Sequence, residues 1–316
     1  MENEAVLAVK GLSKQYGTVS AVDNISFTVH KGEVFGLLGP NGAGKTTTIR
    51  MLCGLLKADS GRIHVNGMPM TSGSYERIKP MIGLCPQEIV IWELLTCLEQ
   101  LRFAGIAYGL SSRAAGNRAE VLLHALGLWD KRNKLGRTLS GGMQRRLNIA
   151  LALVHDPPLI ILDEPQAGLD PQSRILVRDF IRGLARDKTV ILTTHDMDEA
   201  DRLLDRVAII DHGEILLLDI PDRLKAKAGT GELVQLRVTG ISRELAEKVL
   251  QMMPPECTEK TYTDGLFLLG GGSVLEWIPK VQQRLRAHQI QTLDMTIRKR
   301  TLEDAFIALT GRGLRE

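Results

Sequence analysis

Through the first 220 residues, short wholly apolar runs alternate with stretches where apolar side chains recur every third or fourth position. Val34-Phe35-Gly36-Leu37-Leu38, the run 159–163 (LIILD) and the run 189–195 (TVILTTH) read as strands, the second of them buried on both faces as in a parallel sheet. Residues 5–10 (AVLAVK), 25–30 (ISFTVH) and 61–66 (GRIHVN) read as strands of a β-rich layer, with a loop carrying Tyr16-Gly17 after the first. Residues 81–86 (MIGLCP) form a brief strand that ends at Gln87. From about residue 93 to 135 the period turns helical, first at Leu94, Leu95, Leu98 and Leu101, then at Val121, Leu122, Ala125 and Leu126 up to Gly127. This predicts a helical lobe over about residues 88–155. Its last helix starts at Ser140, an N-cap residue, and carries Leu147, Ala150, Leu151 and Val154 as its apolar stripe. A hairpin over 206–211 and 214–219, turning at His212-Gly213, closes a first domain of residues 1–222.

After Ile220-Pro221 the chain becomes polar and Gly-containing, which predicts a linker over 223–231 and a second domain over 232–316. There the pattern reads strand (233–238), helix (242–252), strand (about 257–262), strand (265–269), helix (273–288) and strand (290–298). That βαββαβ order is the split-βαβ arrangement of an α+β domain. A final helix over 301–310 begins at Thr301, with Glu303 and Asp304 in its first turn.

A chain of 316 residues has room for two such cores. A net charge of +3 gives no electrostatic footprint for nucleic acid, so none is expected as a partner. No apolar run approaches the ~20 residues that a membrane span needs, and the acidic start MENEAVLAVK is unlike a secretory signal. The expectation is a soluble chain in which Cys53, Cys85, Cys97 and Cys257 are reduced thiols without metal-ligand spacing.

Candidate chemistry concentrates in GPNGAGKTT, residues 39–47. It lies between an apolar strand and a helical pattern, the context in which G-x-x-x-x-G-K-[ST] forms a phosphate-binding loop. Gly39, Gly42 and Gly44 allow the tight backbone that aims successive N–H groups at one concavity. The following helix adds its partial positive N-terminus. Lys45 supplies a charge for the β- and γ-phosphates and Thr46 a hydroxyl for Mg²⁺. Asp163 ends a buried strand, where a carboxylate is costly unless a cation matches it; holding Mg²⁺ resolves that cost.

LSGGMQ at 139–144, Asp163-Glu164-Pro165, Ala167-Gly168-Leu169-Asp170 and His195 at the end of the next strand follow the loop in order. With them, the chain strongly resembles the ATP-binding subunit of an ABC transporter over residues 5–220. The ending TLEDAFIALTGRG is similar to that of drug-resistance exporters of the daunorubicin type. The resemblance implies a P-loop NTPase of the ABC ATPase type: an α/β fold with a parallel-sheet core, an antiparallel β layer and a helical lobe, here followed by the small α+β domain. It implies that ATP and Mg²⁺ are held by Gly39, Pro40, Asn41, Gly42, Ala43, Gly44, Lys45, Thr46 and Thr47, with Tyr16 stacking on adenine and Gln87 and Asp163 joining Thr46 at the metal. Glu164 would polarise the attacking water, His195 would reach the γ-phosphate, and Gln87 would link the site to the helical lobe. Ser140, Gly141, Gly142 and Gln144 would face ATP held by a second copy, so that hydrolysis needs a homodimer.

Gln166 stands where the family usually has Thr or Ser, which puts the tuning of that dimer interface in doubt rather than the ATPase. Ile89-Val90-Ile91-Trp92 is equally compatible with buried core and with a groove for an integral membrane permease subunit. The implied function is an ATPase that powers an exporter from the cytoplasmic side of the inner membrane, as a peripheral subunit. A soluble ABC ATPase of ribosomes or DNA is the rival reading. Against it, the chain has a single cassette, and only Thr46 to Ser140 separates loop from signature. An import ATPase is disfavoured by the tail alone.

Overall fold

The computed structural model describes residues 4–310 apart from residues 228, 230 and 240. These residues form two compact units, one ending at Pro221 and the other starting at Asp222.

The first unit opens with β1 (Ala5–Tyr16) and β2 (Val19–His30), which pair as a long antiparallel hairpin. β3 (Val34–Leu38) leads through the Gly-rich loop into α1 (Lys45–Leu52). β4 (Ser60–Val65), β5 (Met68–Pro69), α2 (Tyr75–Ile78) and β6 (Ile82–Cys85) follow. The helical lobe is α3 (Cys97–Ala107), α4 (Ser112–Ala125) and α5 (Gly141–Leu153). Thr96, Ser111 and Ser140 cap these three helices, Thr96 through a reciprocal capping box with Glu99. Leu94, expected on the first helical stripe, lies before α3 and is exposed, because the cap at Thr96 fixes where the helix can begin.

β7 (Leu159–Asp163), α6 (Pro171–Leu184), β8 (Thr189–Thr194), α7 (Met197–Leu203), β9 (Arg206–Asp211) and β10 (Glu214–Asp219) complete the unit. Two sheets result: an antiparallel layer in the order β2-β1-β4-β5 and a six-stranded sheet in the order β10-β9-β3-β8-β7-β6. All pairs of the second sheet are parallel except β9–β10. β3, β7 and β8 are buried along their whole length. At roughly 1.5–3 kcal/mol for each large apolar side chain taken from water, these three short strands supply much of the unit's cohesion. The main core joins them to the β layer, with Phe27 stacked on Phe35 at 5.3 Å between ring centroids.

Strand order fixes where the chemistry can be. β3, β8, β7 and β6 are neighbours, and their registers align Leu38 with Thr194, Thr193 with Asp163, and Leu162 with Cys85. The segments that leave these four strand ends therefore emerge side by side at the carboxyl edge of the sheet, where ligands of open α/β sheets bind.

The stretch expected as a linker over 223–231 is helical at its start: α8 spans Pro221–Lys227. Pro221 suits a first helical position, and Asp222 in the first turn with Lys225 and Lys227 in the last turn complements the helix dipole. Asp222 and Lys225 also pair at 2.9 Å. Ala228 and Thr230 of the expected linker lie outside the described residues, as do Gly311 to Gly313 of the tail motif.

The second unit continues with β11 (Leu233–Thr239), α9 (Arg243–Gln251), β12 (Glu259–Thr263), β13 (Leu266–Gly270), α10 (Val274–Ala287), β14 (Gln291–Arg298) and α11 (Leu302–Thr310). Its antiparallel sheet has the order β12-β13-β11-β14, and its own core is built on Trp277, Phe267, Leu236 and Val281. Since each unit holds its own core, a chain ended at Ile220 is expected to unfold cooperatively within about 5 °C of the first transition of the full chain. A calorimetric scan checks this; an aggregated or molten product overturns the division.

Candidate functional site

The loop after β3 wraps a cavity of about 320 Å³ lined by residues 40–47 together with Ala21, Gln87 and Glu164. Two glycines are irreplaceable on geometric grounds. A Cβ on Gly39 would stand 2.1 Å from the Ile210 carbonyl oxygen, and Gly44, at φ 100°, would bring one within 2.3 Å of the Ala21 carbonyl oxygen. The β9–β10 turn props the loop from beneath, with Gly213 N–H donating to Ala43 O at 3.1 Å. The motif itself carries no sign of that support.

Lys45 is the buried cation of the site. Its ammonium donates to the carbonyl oxygens of Gly39 (2.6 Å) and Pro40 (3.0 Å) and lies 3.6 Å from a Glu164 carboxylate oxygen. Burial pushes its pKa below the ordinary lysine value, while the Glu164 and Asp163 carboxylates pull the other way. Glu164 is 5% exposed and also meets His195, whose Nδ1 is 3.1 Å from both carboxylate oxygens. Glu164 itself sits at φ 50°, a left-handed conformation rare for a residue with a side chain. Its N–H donates to Thr193 Oγ1 at 2.9 Å, and that hydroxyl donates in turn to the Asp163 carboxylate. Thr193 is thus the clamp between both acids. Its sequence signal is only its place two residues before His195.

Lys45, Glu164 and His195 therefore come together, Gln87 and Thr46 line the same cavity, and Asp163 lies buried behind Glu164. The donors fit a hard cation: a hydroxyl, an amide oxygen and a carboxylate are the oxygen ligands Mg²⁺ prefers. Tyr16 closes β1 rather than lying in a loop, and is half exposed beside Lys14, outside the lining of this phosphate cavity, to which the same hairpin contributes Ala21. Ser140, Gly141, Gly142 and Gln144 are likewise absent from that lining. Ser140 Oγ accepts from Met143 N–H at 3.4 Å, and Gln144 is tied back to the Gly136 carbonyl oxygen at 3.0 Å. Ser140 lines a separate hollow with Lys131 and Lys134.

Two residues of α5 that the motif reading passed over bind the Gln87 segment to the helical lobe. Buried Arg145 donates to Pro86 O at 2.9 Å. Asn148 donates to the oxygens of Pro86 and Glu88 and accepts from Val90 N–H at 3.3 Å. The unusual Gln166 also has a partner: its amide donates to Glu199 on α7 at 3.1 Å, where Arg178 meets the same carboxylate at 3.0 Å. The stretch Ile89 to Trp92 is not core, with Ile91 alone half-buried. Ile89, Val90 and Trp92 are at least 40% exposed, and Val90, Ile91 and Trp92 border a cavity of about 430 Å³ with Pro86, Tyr108 and His155.

A phosphate loop at the central strand of a largely parallel sheet, with an acid pair and a histidine on adjoining strand ends, defines a P-loop nucleoside triphosphatase. The chain belongs to the ABC transporter family: the model described as "ABC transporter" matches residues 22–167, and relatives match along nearly its whole length. The linearmycin resistance ATP-binding protein LnrL of Bacillus subtilis (strain 168) is 37% identical over 98% of this chain and 100% of its own. The daunorubicin/doxorubicin resistance ATP-binding protein DrrA of Streptomyces peucetius is 37% identical over 96% of this chain and 92% of its own. Among solved structures, a dimeric ATP-binding cassette in a post-hydrolysis state bound to ADP and Pi is 26% identical, with a TM-score of 0.63 over 68% of this chain and 98% of that one. The protein is an ATPase of this family, an ATP-binding subunit that works at a membrane. No helix among the described residues is long and apolar enough to cross one.

Proposed function

We propose that the chain is the ATP-hydrolysing subunit of an ABC exporter, in which two copies bind two ATP at shared sites and drive separate permease subunits at the cytoplasmic face of the inner membrane. The observation that carries the exporter reading is the full-length likeness to drug-resistance ATP-binding proteins, which includes the α+β unit. The soluble and import alternatives have no comparable support.

The triphosphate lies along residues 39–47, where loop N–H groups and the N-terminus of α1 meet its charge. Lys45 exchanges its carbonyl partners for the β- and γ-phosphates, a step eased by a burial that already disfavours the lone ammonium. Glu164 accepts the proton of the attacking water, and His195, held against it at 3.1 Å, donates towards the γ-phosphate. Thr46, Gln87 and Asp163 would hold Mg²⁺, which neutralises phosphate charge when bound. The catalytic gain comes from positioning and from fixed dipoles rather than from a covalent intermediate. Ser140, Gly141 and Gly142 open a second helix N-terminus, with Lys131 and Lys134 nearby, suited to the partner copy's ATP.

The exposed groove at Val90, Ile91 and Trp92 is the permease seat in this reading, since apolar surface of this kind marks partner sites. Replacing Trp92 by Glu is expected to lower co-purification with the membrane permease that the full chain captures at least ~10-fold, the loss of a buried aromatic anchor. Hydrolysis by the isolated subunit should stay within about twofold. Unchanged co-purification would remove the groove assignment, and the absence of any membrane partner would remove the transport reading.

A further inference from the structure

The sheet of the α+β unit has two edges of different character. β12, at one edge, reads Glu259-Lys260-Thr261-Tyr262-Thr263, with the charges that guard an edge strand against pairing. β14, at the other, has no charge but Asp294 between Gln291 and Ile297, and each residue from Gln291 to Ile297 is exposed, although Gln282 of α10 reaches Met295 Sδ at 3.7 Å. Its odd positions form an apolar stripe: Leu293 is 58% exposed, Met295 39% and Ile297 40%. Met295 and Ile297 stand opposite Leu236 and Val234 on β11, so the stripe continues the face whose inner part is the core of the unit. Met295 N–H donates to the carboxylate of the adjacent Asp294 at 2.9 Å, a local substitute for a strand partner.

We infer that this edge is an interface: β14 pairs antiparallel with β14 of a second copy, centred on Met295, and joins two four-stranded sheets into one of eight strands. The occupant follows from the register. Only registers that oppose odd positions to odd positions keep both apolar stripes on one face, because a one-residue slip turns a strand over. Centred on Met295, Leu293 meets the partner's Ile297, Met295 meets its own equivalent, Asp294 meets Thr296 and Thr292 meets Arg298. Every apolar residue finds an apolar one, and no like charges are opposed. Centring one residue earlier would set Asp294 against Asp294, and one residue later would set Leu293 against Lys299. A single self-pairing thus satisfies the whole strand, as a two-fold interface requires. The two sides bury little area, so the contact suits a weak, persistent link rather than an obligate dimer.

The test uses the full chain without nucleotide, in EDTA, so that loss of the ATPase reading would leave it untouched. All four native cysteines are buried, and burial pushes the Cys53 and Cys85 thiols up to about 12, so an introduced thiol is the reactive one. Met295→Cys should form a disulfide-linked dimer under mild oxidation, since directly opposed strand residues meet the distance a disulfide needs. Leu275→Cys, 79% exposed on α10, reports random collision and should give at most about a tenth of that yield. Leu293→Lys should weaken self-association in sedimentation at least ~10-fold with the unfolding temperature unchanged. Equal cross-linking at residues 275 and 295, better cross-linking by Thr296→Cys, or association that Leu293→Lys leaves unchanged would overturn the pairing. So would the finding that a membrane protein alone covers β14.

Discussion

The Glu164→Gln variant, given Mg-ATP, is expected to run as a stable dimer that hydrolyses ATP at least ~10³-fold more slowly than the parent. The substitution keeps the shape of a side chain only 5% exposed and keeps hydrogen bonding to His195, but removes the charge that draws the proton from water. ATP still binds, because the loop and Lys45 are untouched. With the γ-phosphate retained, each nucleotide stays bridged between one copy's loop and the other's Ser140 helix, and binding energy for the closed form accumulates as dimer stability. ADP should return the variant towards the association state of the nucleotide-free chain. Adding Ser140→Arg places bulk on the second helix N-terminus and should abolish the ATP-dependent dimer while leaving ATP binding by one copy largely intact. Size-exclusion chromatography with a nucleotide-binding assay reads both. A double variant that still closes on ATP would sink the shared site.

Lys45→Ala is the second large effect. The ammonium is the one cation among the residues that line the loop cavity, and neither a water molecule nor a neighbour can replace a buried positive charge at that point. Hydrolysis should fall at least ~10²–10³-fold, the scale on which a single preorganised electrostatic group is lost, and ATP affinity should fall with it. The variant also frees the carbonyl oxygens of Gly39 and Pro40, so its unfolding temperature must be measured alongside. A variant that folds and turns over near the parent rate would remove the phosphate-loop assignment.

The fold was largely readable because its central strands leave little choice. A run such as Leu159 to Leu162, apolar at successive positions, can be satisfied only between two covered faces, and the loop after β3 then fixes the sheet type. What escaped has equally physical causes. α6 hides its start because its cap, Asp170, is also the last residue of Ala167-Gly168-Leu169-Asp170, and α7 because its cap, Asp196, directly follows His195. α8 reads as a linker because a seven-residue helix, here with the Asp222–Lys225 pair on it, has too few turns to show a period. Loop residues 40–47 could be named from spacing, and Glu164 and His195 through the family resemblance that the motifs carry. Thr193, Arg145, Asn148 and the propping of Ala43 by Gly213 could not, since each acts through one long-range hydrogen bond that no local pattern records.

The bonds from Arg145 and Asn148 to the Pro86–Val90 segment give α5 a mechanical character. A helix of 13 residues is about 20 Å long, and its tip is Ser140. Its middle is bolted to the same backbone that borders the apolar groove. Such a rod behaves as a lever with the groove near its fulcrum. A tilt of about 5° about Asn148, imposed where a neighbour presses on Val90, carries the tip, eight residues or about 12 Å away, through roughly 1 Å, more than a hydrogen bond tolerates. In the proposed transporter, load at the groove and grip of Ser140 on the partner's nucleotide would thus be geared together by the stiffness of one helix, and softening it at Asn148 should leave each end competent yet let them slip past one another.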